Sequence, residues 1–232
     1  MQTIYLLCGV LCDETVWESQ TKALRNEGYD VRPLSFQEFN SLEGMANHLL
    51  EHAPASFSLA GHSMGGRVAL EAYRQEPQRI ERLALLDTGY EPAAQEETEK
   101  RGAMVRKALS EGIEAIAETW ARPMLAPSRQ QDSELLERIL RMVGRMSGEI
   151  YARQTQALLS RPDAAPVLSE IRCPTLILCG QQDGWSPPER HRQMAALTAG
   201  SELRLIDDCG HMSTMEKADE VLSHLHAWME WE

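Results

Sequence analysis

A chain of 232 residues with 43% hydrophobic content holds enough apolar material for one sizeable core, and no apolar run is long enough to span a membrane as a helix. Its formal charge of −12 argues against nonspecific attraction to nucleic acid or to an anionic membrane surface. Five cysteines, none spaced Cys-x-x-Cys, make neither a disulfide framework nor a zinc motif, so a cytoplasmic setting is expected.

The first strand pattern covers residues 3–8, within a Met1 to Cys12 segment that lacks the basic start of a signal sequence. A second strand is expected over 30–34. Asn40 followed by Glu43 reads as a helix N-terminus, leading into the apolar Met45, Leu49 and Leu50. A third strand over 57–61 runs directly into Gly61-His62-Ser63-Met64-Gly65, and a helical pattern begins with Gly66-Arg67-Val68. A serine hydroxyl becomes a useful nucleophile only when it is exposed, near a base, and beside donors that can hold an oxyanion. A sharp strand-to-helix turn supplies all three, and the flanking glycines relieve the crowding such a turn creates. His62 reads as a structural neighbour of that turn rather than as its base.

A fourth strand is expected over 82–87, after which the alternation of strands and helices stops. Residues 91–165 read as helical, with apolar spacing at Met104, Leu109, Ile113, Ile116 and Trp120, then at Leu135, Leu136, Ile139, Leu140 and Val143. Residues 91–170 hold 11 Lys or Arg against 13 Asp or Glu, net −2, leaving −10 for the remainder. This segment is the less acidic place for an anionic substrate to dock, although dispersed helical arginines commonly form solvated pairs.

The fifth strand, over 174–179, opens into Gln181-Gln182-Asp183, and the sixth, over 202–207, leads to Gly210-His211-Met212 ahead of a helix near Lys217. Ser63, Asp183 and His211 therefore follow one another at strand carboxyl ends, in the order of a nucleophile, an acid and a base. In such a set the aspartate fixes the imidazole tautomer while the histidine moves the proton. Cys8, Cys173 and Cys179 read as small buried residues, and neither Cys12 nor Cys209 has the setting of a competing nucleophile. His224 and His226 are two apart on a helix and face different ways, so they do not form a metal pair. The chemistry calls for no cofactor and no metal.

On the segments Leu6 to Trp17, Leu59 to Leu70, Leu83 to Thr88, Ile171 to Pro187 and Leu205 to Glu216, the chain resembles the α/β-hydrolase fold family. The resemblance implies an α/β fold with a mostly parallel, doubly wound sheet of about six strands, two antiparallel edge strands fewer than in larger relatives. The core is expected over 1–90 and 166–232, with a helical cap over 91–165 inserted after the fourth strand. It further implies an oxyanion hole made by the N–H groups of Val10 and Met64, Leu11 being a less favoured substitute for Val10, with Cys8 standing where relatives usually carry His. Trp185, Trp120, Met124, Leu125 and Tyr151 are the expected pocket wall. The activity so implied is that of a serine hydrolase acting on a small-molecule carboxylic ester, thioester or lactone through an acyl-enzyme. Two alternatives stay open: a ligand-binding signalling receptor of the same fold, and a carbon–carbon bond hydrolase or lyase.

Overall fold

The computed structural model describes residues 2–231. Six parallel strands, β1 (Thr3–Leu7), β2 (Asp30–Leu34), β3 (Phe57–His62), β4 (Ile80–Leu86), β5 (Thr175–Gly180) and β6 (Glu202–Ile206), form one sheet in the order β2-β1-β3-β4-β5-β6. The inner strands β3 and β5 are buried throughout, whereas β6 at the sheet edge is largely half-buried. That difference explains why the inner strands read as continuous apolar runs rather than as alternating ones. The fourth strand begins at Ile80, two residues before the expected start, because Ile80 pairs with Phe57 across a register shift.

Helices α1 (Glu18–Asn26), α2 (Leu42–His52) and α3 (Met64–Gln75) make the first three crossovers. The chain moves outward from β1 to β2, then back across β1 to β3 and onward. Right-handed crossovers accordingly put α1 on one face of the sheet and α2 and α3 on the other. The strand order reverses between β1 and β3, so the loops after these two strands diverge and leave a crevice at their carboxyl ends. Both the Gly9–Leu11 turn and Ser63 sit at that crevice.

The helices between β4 and β5 are α4 (Gln95–Glu111), α5 (Glu114–Ala121), α6 (Ser133–Val143), α7 (Gly148–Leu159) and α8 (Ala165–Glu170). Helix α4 packs on α5 and α7, while α8 returns to the sheet layer against α3 and α9 (Pro188–Leu197). The chain closes with the short α10 (Ser213–Glu216) and with α11 (Ala218–Met229), which packs on α1. No helix among the described residues is long and apolar enough to cross a membrane.

The start of α2 differs from the sequence expectation. Ser41, not Asn40, is the cap: its backbone is extended and its hydroxyl accepts the Gly44 N–H at 3.1 Å. A cap is set by which side chain reaches the third helical N–H, and here that is the residue adjoining Leu42.

Where α3 meets the sheet, a Cβ on Gly65 would lie 2.3 Å from the Leu7 carbonyl oxygen. Gly65→Ala must therefore push α3 away from β1 and is expected to cost about 3 kcal/mol in urea unfolding. Gly184, with nothing within 4 Å of its added Cβ, gives the control, and Gly184→Ala should leave the unfolding midpoint nearly unchanged. Equal stability of the two variants would contradict the packing described.

Candidate active site

Ser63 occupies the turn between β3 and α3 with φ 56° and ψ −118°, a conformation that L-residues rarely adopt and that costs about 1–3 kcal/mol. Three contacts hold it there. The Ser63 N–H donates to the Leu86 carbonyl at 2.9 Å, the Thr88 hydroxyl donates to the Ser63 carbonyl at 2.6 Å, and Gly61 packs so closely on Gly65 that a Cβ would sit 2.3 Å from its oxygen. The Ser63 side chain consequently faces the crevice.

His211 lies across from it. Its Nε2 is 2.9 Å from Ser63 Oγ, and its Nδ1 is 2.8 Å from Asp183 Oδ2. The other Asp183 oxygen accepts the N–H groups of Trp185 and Ser186, both at 2.8 Å, which fixes the carboxylate's rotation. With Nδ1–H donating to Asp183, the Nε2 lone pair is left to accept the serine proton. Burial alone would lower the His211 pKa, but the charge and hydrogen bond of the Asp183 carboxylate raise it above the ordinary histidine value. Burial likewise opposes charge on Asp183, yet His211 and the two backbone donors hold its pKa below normal.

The histidine loop is clamped from three sides. The His211 N–H donates to the Met124 carbonyl at 2.6 Å, and His62 Nε2 donates to the His211 carbonyl at 2.7 Å. The third clamp is Glu216, whose buried carboxylate accepts Gly210 N–H at 3.0 Å, Met212 N–H at 3.2 Å and Ala126 N–H at 2.8 Å. Sequence reading missed Glu216, since a glutamate five residues beyond a histidine fits no helical or strand period.

Two other buried histidines stay neutral. Burial drives the pKa of His62 and of His191 down to about 4. His191 then acts as a bracket, accepting the Thr88 N–H at 3.0 Å. Asp87, at the end of β4, is pushed well above the usual carboxylate range by burial and by the like charge of Asp183. Its oxygens face the Gly180 N–H at 3.1 Å and the Ser213 N–H and hydroxyl. Asp87, Cys179 and Asp183 bring potential ligand atoms within 4.8 Å of one another. That set is a poor metal cradle, because burial keeps the thiol protonated and its carboxylate oxygens are already engaged by hydrogen-bond donors.

On the other side of Ser63, the Leu11 N–H donates to Gln154 Oε1 at 2.9 Å, and Gln154 Nε2 donates to the Phe36 carbonyl at 3.0 Å. The Leu11 N–H is thereby occupied, while Val10 and Met64 line the same cavity as Ser63. Gln154, contributed by α7, was not singled out from the sequence. Cys8, just after β1, is fully buried with its N–H on the Leu34 carbonyl at 2.9 Å. Cys12 reaches the cavity, but burial raises its thiol pKa and its Sγ donates to the Val10 carbonyl at 3.2 Å.

Ser63 and His211 open into a cavity of about 400 Å³. Trp120, Met124, Tyr151 and Trp185 all line it, and the Trp185 ring centroid is 6.3 Å from that of His211. Leu125 does not line it. The turn Arg122–Met124 ends there, and the extended Leu125 backbone sends its side chain into the core instead, 1% exposed.

The family described as alpha/beta hydrolase fold matches residues 38–218. This chain belongs to the α/β-hydrolase fold family. A thermophilic esterase from Thermogutta terrifontis, solved with malate bound, superposes with a TM-score of 0.88 at 29% identity, covering 99% of this chain and 89% of that one. The enol-lactonase from Burkholderia xenovorans LB400 shares the fold, with a TM-score of 0.85 at 23% identity over 99% and 92% of the two chains. Among curated proteins, the 2-hydroxy-6-oxononadienedioate/2-hydroxy-6-oxononatrienedioate hydrolase of Escherichia coli K12 is 27% identical over 173 residues, which make up 71% of this chain and 59% of that protein. The chain thus spans less than two thirds of the length of the curated relatives it matches.

In this α/β-hydrolase-fold chain the clamp on His211 has a measurable weight. Glu216→Ala removes the acceptor of three buried N–H groups and is expected to cost about 3 kcal/mol, roughly 1 for each lost bond. Urea unfolding reads it directly, and a loss below about 0.5 kcal/mol would show that the loop is held by other means.

Proposed function

We propose that this chain is a serine hydrolase acting on a small-molecule carboxylic ester through an acyl-enzyme. The observation that carries the reading is the Ser63–His211–Asp183 hydrogen-bonded chain, at 2.9 and 2.8 Å, opening on a cavity lined in part by Trp120, Met124, Tyr151 and Trp185. His211 Nε2 takes the Ser63 proton as Oγ attacks the carbonyl, and the N–H groups of Val10 and Met64 hold the oxyanion. His211 then returns the proton to the leaving alcohol. Water deprotonated by His211 attacks the acyl-enzyme, and the acid leaves as Ser63 recovers its proton. Asp183 stays ionised and stabilises the imidazolium. Residues 91–165 serve as the cap, with Trp120, Met124 and Tyr151 enclosing the substrate against Trp185.

One observation favours a second reading. The Escherichia coli relative is named for a 2-hydroxy-6-oxo dioate, a compound with a ketone and no ester, so hydrolysis there falls on a carbon–carbon bond. The same serine, base and oxyanion donors would serve either bond, and fold alone does not separate them.

Ser63→Ala should abolish stoichiometric labelling by a fluorophosphonate and with it turnover of short aryl esters. Asp183→Asn should fall by about 10⁴-fold in kcat, since the amide no longer supports the imidazolium. Asp87 bonds to Gly180 and Ser213 and not to His211, so Asp87→Asn should stay within about threefold of the wild type. If the Asp87 variant loses turnover and the Asp183 variant keeps it, the acid has been assigned to the wrong strand.

A further inference from the structure

The cavity beside Ser63 is cationic in a chain that is otherwise acidic. Arg67, Lys100, Arg101, Arg161 and Arg190 line it together with one carboxylate, Glu97. These residues come from distant parts of the sequence: Arg67 lies on α3, Lys100 and Arg101 on α4, and Arg190 on α9.

Most of this charge is paired. Arg161 is 5% exposed and grips both oxygens of Glu97, while Arg101 Nε is 3.0 Å from Glu97 Oε2. Arg190 Nε takes Glu91 Oε1 at 2.7 Å. Two carboxylates are therefore spent on three arginines, and Arg67 and Lys100 remain. Arg67 Nη1 donates to the Glu91 carbonyl at 2.9 Å, and its Nη2 comes no closer than 4.0 Å to the Glu91 carboxylate. Lys100 makes no ion pair among the described residues, and it is exposed at the cavity's edge.

Arg67 is the more telling of the two. Its side chain is only 12% exposed, so its charge has lost most of its water without gaining a close counterion. Burial, with the neighbouring Arg161 charge, lowers its pKa from the ordinary arginine value. Arg67 lies in the first turn of α3 and lines the same cavity as Ser63. The same cavity also has apolar lining from Met104, Trp120, Met124 and Leu158.

We propose that the substrate of this site carries a carboxylate, which docks on the free edge of the Arg67 guanidinium with Lys100 at the entrance while its ester carbonyl reaches Ser63. A planar guanidinium with an uncommitted edge matches a carboxylate, and an apolar stretch of a few methylenes between the two ends suits the apolar lining. The proposal rests on the hydrolase reading above and narrows its substrate class to anionic esters.

Two pairs of esters of equal shape test it. Monomethyl glutarate is compared with methyl 5-methylhexanoate, and 4-acetoxybutanoate with 4-methylpentyl acetate, so that the carboxylate lies on the acyl side or on the alcohol side. In at least one pair the anionic member should have kcat/KM about 10-fold higher or more, as a charge-assisted hydrogen bond implies. Arg67→Gln should reduce that ratio at least about fivefold. If this variant does not fold, Lys100→Met, on an exposed helix surface, should lower the same ratio in part. Ser63-dependent hydrolysis of the neutral esters without preference for either anionic one overturns the carboxylate site and leaves the hydrolase reading standing. If no ester is turned over, the hydrolase reading fails, and titration calorimetry with glutarate decides the site separately. Binding that is lost in Arg67→Gln, or weakened in Lys100→Met, supports the site, and absence of binding to the wild type overturns it.

Discussion

The close approach of the first turn of α3 to the sheet governs the rest of the site. Gly65 lies against the Leu7 carbonyl and Gly61 against Gly65, so the chain must reverse over a single residue. That residue is Ser63, and its left-handed φ follows from the contact. Once the turn is fixed, Ser63 faces the crevice where the strand order reverses, Met64 starts α3, and Val10 in the turn after β1 lines the same cavity. Backbone strain of this kind persists only where surrounding packing enforces it, and here it is enforced by two glycine contacts and two hydrogen bonds to Ser63.

A second constraint is electrostatic. Asp183, Asp87, His62, His191 and His211 are all buried within one small region, and they cannot all be charged. Asp183 receives three donors, two from backbone and one from His211, and its pKa is held below normal, whereas burial and the like charge of Asp183 push Asp87 well above the usual carboxylate range. His62 and His191 stay neutral and serve as hydrogen-bond brackets. One carboxylate is thus held ionised against one imidazole, which is the arrangement that leaves His211 as the group whose protonation state can change near neutrality.

What the sequence revealed follows from how far each feature reaches along the chain. The six strands, the serine turn and the positions of Asp183 and His211 are written in short runs, as apolar strands ending in Gly- or Asp-containing turns, and the structure brings all three side chains together. The cap of α2 was misplaced by one residue because Asn and Ser are both good caps and only the backbone geometry chooses between them. Leu125 is an expected wall residue that the structure places in the core, because an extended residue after a helical turn points away from the cavity. The Gln154 bond to Leu11, the Glu216 clamp and the Glu97–Arg161 pair span 143, 90 and 64 residues in sequence, separations that no local pattern encodes. The less acidic character of residues 91–170 marks a place for an anionic substrate to dock, but Arg67 and Arg190 of the cavity lie outside that segment, and the partition into paired and unpaired groups needed the fold.

The account turns on His211 acting as the base with its pKa raised by Asp183, and the pH dependence of kcat/KM for a neutral ester tests this most directly. Only neutral imidazole accepts the Ser63 proton, so activity should fall as pH drops through a single ionisation lying above the ordinary histidine value of 6.5. His211→Ala should remove that limb together with nearly all turnover. A limb in the range of an ordinary carboxylate, or one that survives unchanged in a folded and active His211→Ala protein, would contradict the assignment.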